Sequence, residues 1–156
     1  MRPERLAVNE ALQSVLHTLC LVKTMSETPG IKILLAEDND GHAWLLKDLL
    51  RRAGISNEPL RFKDGQEAWE YISVNAAGHA GDYVLLLDIR MSELGGIELL
   101  RLIKSSPLFK AMPVILVTCG DNPQEIALCS ELGCAAYLAK PVELEKLKQA
   151  LQDLGL

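Results

Sequence analysis

Five side chains of this 156-residue chain have the types and spacing to do chemistry together: Glu37 and Asp38 in "LLAEDND", Asp88 in "LLLDIRM", Thr118 in "ILVT" and Lys140 in "YLAKP". Each stands where a short aliphatic run stops. A carboxylate can attack a phosphoryl group and hold it as an aspartyl phosphate, and Asp88 has the position for that role. Clustered carboxylates repel one another and raise each other's pKa unless a cation neutralises them. Such a nest suits a hard divalent ion. Mg²⁺ fits best, because it takes one or two carboxylates, keeps several waters and accepts phosphate oxygens. Asp38 would hold it directly and Glu37 through water, while Lys140 supplies a point charge and Thr118 a hydroxyl donor.

These groups can meet only if the elements between them bring the run ends together. Residues 31–36, "IKILLA", are aliphatic and bounded by Gly30 and the acidic pair, as expected of a buried strand. Trp44, Leu45, Asp48, Leu49 and Arg52 then follow helical spacing, with Gly54 as the stop. Residues 59–63 read as a weaker strand, and Asp64 as the cap of a second helix. Residues 83–87 predict the third strand and 97–104, after a Gly95-Gly96 turn, the third helix. Residues 113–118 predict the fourth strand, 123–132 the fourth helix, 135–138 a short fifth strand, and 142–154 the last helix. Strands alternating with helices in this way predict an α/β fold with a parallel sheet covered on both faces. Ligands of such sheets bind beyond the carboxyl ends of the strands, where the strand order reverses. The three carboxylates, the hydroxyl and the ammonium all fall at those ends.

Composition narrows the function classes. Hydrophobic residues make up 49% and charged residues 24%, the balance of an ordinary globular protein. A net charge of -5 argues against a broad basic surface, so neither nucleic acid nor a membrane is an expected partner. No apolar run approaches the roughly 20 residues needed to span a bilayer. The four cysteines form no CxxC pair and have no His at zinc-ligand spacing, so free thiols in a reducing cytoplasm are the expectation. Residues 1–29 differ from the rest and are read as an N-terminal extension, with residues 30–156 as the folded domain. Three readings of the extension stay open: a disordered leader, an amphipathic helix with Leu12, Val15, Leu16 and Leu19 on one face, or a start placed upstream of a natural one at Met25.

Taken together and in this order, "LLAEDND", "LLLDIRM", "ILVT" and "YLAKP" resemble the receiver domains of two-component response regulators over residues 31–154. The resemblance implies a flavodoxin-like doubly wound (βα)5 domain with strand order 2-1-3-4-5. It implies that Asp88 is the phospho-acceptor, that Glu37 and Asp38 form the acidic pair, and that the backbone carbonyl of Arg90 completes a Mg²⁺ site with Asp88. It makes Thr118 and Tyr137 the switch residues and Lys140 the phosphate-contacting lysine, before a cis Pro141. The implied partner is a histidine kinase or phosphotransfer protein, with a homodimer through the fourth helix, fifth strand and fifth helix as a further option. "EDND", "SNEPLRFKDGQEAWEYI" and "KPVELEKL" are similar to the small stand-alone receivers beside bacteriophytochrome kinases. Such a protein is a cytoplasmic signalling module and no enzyme beyond its own phosphorylation and dephosphorylation.

The chain departs from the family pattern at Ser92, usually proline, at Gly95, usually aspartate, and at Cys119, usually a very small residue. The Arg90 side chain, two residues past the acceptor, is expected to overlook the phosphoryl group and to affect its lifetime. Plainer readings stand beside these. A single Asp at a strand end is commonly a turn former, Thr118 alone a β-branched strand residue, and Tyr137 alone a half-buried tyrosine. His42 is expected to face solvent in the first helical turn, because Mg²⁺ prefers oxygen ligands. Trp44 and Trp69 are expected in the core. The competing functions are a degenerate, docking-only receiver and an aspartyl-nucleophile phosphatase. The phosphatase class carries a second acid two residues after the nucleophile, where this chain has Arg90.

Overall fold

The segments KILLA, YVLLLD and VILVT carry no polar residue between their ends, which suits strands covered on both faces. In the computed structural model, which describes residues 30–120 and 122–156, they form β1 (Lys32–Ala36), β3 (Tyr83–Asp88) and β4 (Val114–Thr118). With β2 (Leu60–Phe62) and β5 (Ala136–Ala139) they make one parallel sheet in the order β2-β1-β3-β4-β5. The expected doubly wound topology is the observed one. The extension read at residues 1–29 lies outside the described residues.

Between the strands run α1 (Asp40–Arg52), α2 (Gly65–Asn75), α3 (Gly96–Ser105), α4 (Pro123–Glu131) and α5 (Leu144–Asp153). Successive strand side chains point to opposite faces, so β1, β3 and β4 each feed two cores. Leu34, Leu85, Leu87 and Leu116 pack with Ile72 of α2, Leu99 and Ile103 of α3 and Cys129 of α4. Ile33, Leu35, Leu86, Ile115 and Val117 pack with Leu46 and Leu50 of α1 and Leu147 and Leu151 of α5. Among the described residues no helix is long and apolar enough to cross a membrane.

Local chemistry sets the helix ends. Asn39 caps α1 by accepting from the His42 amide at 3.0 Å, and Asp64 caps α2 by accepting from Glu67 N at 2.8 Å. Gly54, at φ +101°, ends α1 in the left-handed region that favours glycine. One expectation is corrected on α1. Its buried face is Ala43, Leu46, Leu49 and Leu50, which turns Trp44 outward, 68% exposed. Trp44 follows Ala43 by one residue and so lies about 100° round the helix from the buried stripe. Trp69 is half-buried and meets Phe109 edge-on at 5.4 Å between ring centroids.

The first turn of α3 packs directly against the end of β3. A Cβ on Gly96 would fall 2.7 Å from Ile89 Cα and closer still to the carbonyl oxygen of Asp88, both backbone atoms that cannot swing aside. Gly96→Ala is therefore expected to destabilise the fold by about 3 kcal/mol, the upper part of the overpacking range. Urea unfolding should show a lower midpoint with an unchanged slope. An unchanged midpoint would mean that the loop after β3 shifts freely.

Candidate functional site

The strand order reverses between β1 and β3, whose successors depart to opposite edges of the sheet. The Ala36–Leu87 pairing puts the next residues, Glu37 and Asp88, side by side at the carboxyl end of that crevice. Glu37 is fully buried and Asp88 nearly so, whereas Asp38 is exposed. One carboxylate oxygen from each of the three lies within 4.8 Å of the others. From the far side comes Lys140, just beyond β5, its amide held by the Thr118 carbonyl at 2.9 Å and its peptide bond to Pro141 cis, as expected. Lys140 Nζ donates to Asp88 Oδ2 at 2.7 Å and to Glu37 Oε2 at 2.6 Å.

Four of the five expected groups therefore converge in one ion cluster, and Thr118 ends the adjoining strand. Burial disfavours the Lys140 ammonium, but its hydrogen bonds to Asp88 and Glu37 outweigh that and hold its pKa above the ordinary lysine value. With its side chain only 10% exposed, Lys140 is a point charge fixed in place. The other Asp88 oxygen, Oδ1, accepts from the Arg90 amide at 3.1 Å.

The two expected switch residues differ in their surroundings. Thr118 is fully buried, and its hydroxyl has no hydrogen-bond partner among the described residues. A buried hydroxyl left so forfeits about 1–3 kcal/mol, which suits a group awaiting an acceptor. Tyr137 is half-buried against the α2–α4 core and donates through its hydroxyl to the Gly120 carbonyl at 2.7 Å. The Arg90 side chain is largely exposed and turns towards α4, with Nη2 3.8 Å from Glu125 Oε1. Cys119 is exposed and lines an apolar cavity of about 360 Å³ with His42, Leu45, Leu46, Lys140, Pro141 and Val142.

Two contributors were missed. His42 does sit in the first turn of α1 and partly faces solvent, yet its Nδ1 lies 3.1 Å from Lys140 Nζ and 3.5 Å from Glu37 Oε1. Arg61, the middle residue of β2, reaches across to the acidic loop and bonds Glu37 O, Asp38 O and the Asp40 carboxylate. That hydrogen bond and the guanidinium charge hold the Asp40 carboxyl below the usual carboxylate range. A charged residue between Leu60 and Phe62 was the available signal for Arg61. For His42, three residues after the N-cap, only the fold reveals how close Lys140 comes.

The donor set is all oxygen: three carboxylates, of which Asp38 makes no side-chain hydrogen bond or ion pair among the described residues. That set fits a hard divalent cation and would suit neither a soft metal nor an anion. Residues 33–152 match the response regulator receiver domain family. The chain belongs to that family. The receiver is 30% identical to the chemotaxis protein CheY1 of Helicobacter pylori over 122 residues, 78% of this chain and 94% of the relative. It superimposes with a TM-score of 0.68 on a receiver domain from Rhodospirillum rubrum, 36% identical, covering 81% of this chain and 92% of that one. The bacteriophytochrome response regulator AtBRR is similar to it at 33% identity and a TM-score of 0.68, covering 81% of this chain and 93% of the other. The receiver is thus a module of two-component signalling, a class whose partners are histidine kinases or phosphotransfer proteins.

Proposed function

We propose that this receiver is a response-regulator module switched by Mg²⁺-dependent phosphorylation of Asp88. The observation that carries the reading is the placement of Asp88, at the open end of β3, bridged by Lys140 to a second buried carboxylate. Asp38 and Asp88, with Glu37 through water and the Arg90 carbonyl, would hold the ion, which when bound offsets charge on the phosphoryl oxygens. Asp88 attacks phosphorus, the bond to the donor's imidazole nitrogen breaks, and the leaving imidazole keeps its electron pair and takes a proton. Lys140 meets the added negative charge with a cation already in place, and the Thr118 hydroxyl gains the acceptor it lacks.

Movement of Thr118 towards the phosphoryl group would release the room that Tyr137 needs to leave Gly120, reshaping the surface of α4, β5 and α5. That surface is the one on which a partner or a second copy would read the state. The protein catalyses only its own phosphorylation and dephosphorylation and works in the cytoplasm. Likeness to a bacteriophytochrome response regulator supports a histidine kinase of the bacteriophytochrome type as the donor.

Acetyl phosphate with Mg²⁺ tests the reading by intact mass spectrometry. The expected result is a gain of one phosphoryl group that disappears when EDTA replaces Mg²⁺. No gain under either condition would overturn the assignment.

A further inference from the structure

The Arg61 side chain comes from the edge strand β2, outside the ion cluster, yet spends its donors on the loop that carries two of the three carboxylates. Nε donates to Glu37 O at 3.0 Å, Nη2 to Asp38 O at 3.0 Å and Nη1 to Asp40 Oδ1 at 2.6 Å. The backbone below is tied too, since Glu37 N donates to Phe62 O at 3.1 Å and Leu35 stands in register with Arg61. A planar guanidinium bonded at three of its nitrogens fixes its acceptors relative to one another, which an ammonium on a flexible stem cannot do.

The two acids differ in what else holds them. Glu37 is fully buried and bonded by Lys140 and by the Asn39 amide. Asp38 is exposed, and its carboxylate makes no hydrogen bond or ion pair among the described residues. The direction of its Cα–Cβ bond is therefore set by the peptide planes on either side, and Arg61 grips the carbonyls of both Glu37 and Asp38. We propose that Arg61 is a positioning residue for the cation site, orienting Asp38 by clamping the Glu37 and Asp38 carbonyls from β2. That role rests on the Mg²⁺ reading of the site.

Two effects of opposite sign meet at Arg61. Its charge repels a cation, while its hydrogen bonds arrange the ligands. Asp40, paired with it at 2.6 Å, cancels most of the charge at a distance, so ligand arrangement is the effect that survives. The same pairing supplies a clean test. Arg61→Met combined with Asp40→Asn removes one charge of each sign and leaves the net charge unchanged.

Mg²⁺ affinity is measured by isothermal titration calorimetry at fixed ionic strength, with folding checked by circular dichroism. The double variant should bind Mg²⁺ about tenfold more weakly than the wild type, the lower end of what loss of a ligand's supporting partner does. Arg61→Lys, which keeps the charge but cannot span the three acceptors, should fail to restore it, and it decides the matter if the double variant does not fold. A dissociation constant within about twofold of wild type would overturn the inference about Arg61 alone. A wild-type protein that binds no Mg²⁺ would overturn the reading beneath it.

Discussion

Asp88→Asn is expected to abolish the Mg²⁺-dependent mass gain from acetyl phosphate while leaving the fold intact. The amide is the same size and shape as the carboxylate, so β3 keeps its packing and the side-chain oxygen can still accept from the Arg90 amide. What is lost is the nucleophile, because a neutral amide oxygen does not attack a phosphoryl group under these conditions. Stability moves little, because losing the Asp88–Lys140 pair is offset by relief of repulsion among the carboxylates. Three carboxylates share the cluster with one ammonium, so removing one carboxylate relieves repulsion, while Lys140 keeps Glu37 at 2.6 Å. The variant should therefore unfold in urea within about 1 kcal/mol of wild type, and loss of phosphorylation could not be put down to misfolding. A stable mass gain that survives in Asp88→Asn would place the acceptor elsewhere.

How far the sequence reaches depends on what kind of regularity each feature has. Strands such as YVLLLD are legible because burial on both faces leaves no room for a polar residue until the strand ends, and the end is where Asp88 stands. The site was legible for the same reason: four chain segments each mark their own terminus with a reacting group. The orientation of α1 was not legible, since its apolar residues span more of the helix than one stripe, and only contact with β1, β3 and α5 selects Leu46 and Leu50 over Trp44. Arg61 and His42 were missed for a different reason. Neither interrupts a pattern that identifies its partner, because Arg61 is 24 residues from Glu37 and His42 is 98 from Lys140. Such contacts exist only once the sheet order brings β2 beside β1 and the end of β5 over α1. Nor does the strand-end position of Lys140 disclose that its ammonium is pinned between two buried acids, which depends on Glu37 being turned inward and Asp38 outward.

Lys140→Met should destabilise the metal-free protein by about 3 kcal/mol, since breaking a buried ion pair from one side costs about 3–5 kcal/mol. The variant keeps the length and apolar stem of the side chain and deletes only the cation. Glu37 would be left fully buried with the Asn39 amide at 3.1 Å and His42 at 3.5 Å, and Asp88 with the Arg90 amide, two neighbouring acids with no ammonium between them. The lower end of the range is expected because two such carboxylates can share a proton and shed part of the charge. Urea unfolding in EDTA measures the difference. Its pH dependence has a definite sign. The folded-state pKa of Lys140 lies above the unfolded one, so the stabilisation is complete below the unfolded value, about 10.4, and is lost as pH rises through the folded value. As far as Lys140 titrates, the gap between wild type and variant should therefore be flat through neutrality and narrow only in strong alkali. Adding Mg²⁺ should narrow it at neutral pH as well, because the variant's carboxylates are no longer shared with Lys140, and a ligand at 100 times its dissociation constant adds about 2.7 kcal/mol. Equal stability of the two proteins in EDTA would mean that Lys140 contributes no net stability to the resting fold, whatever it does for the phosphoryl group.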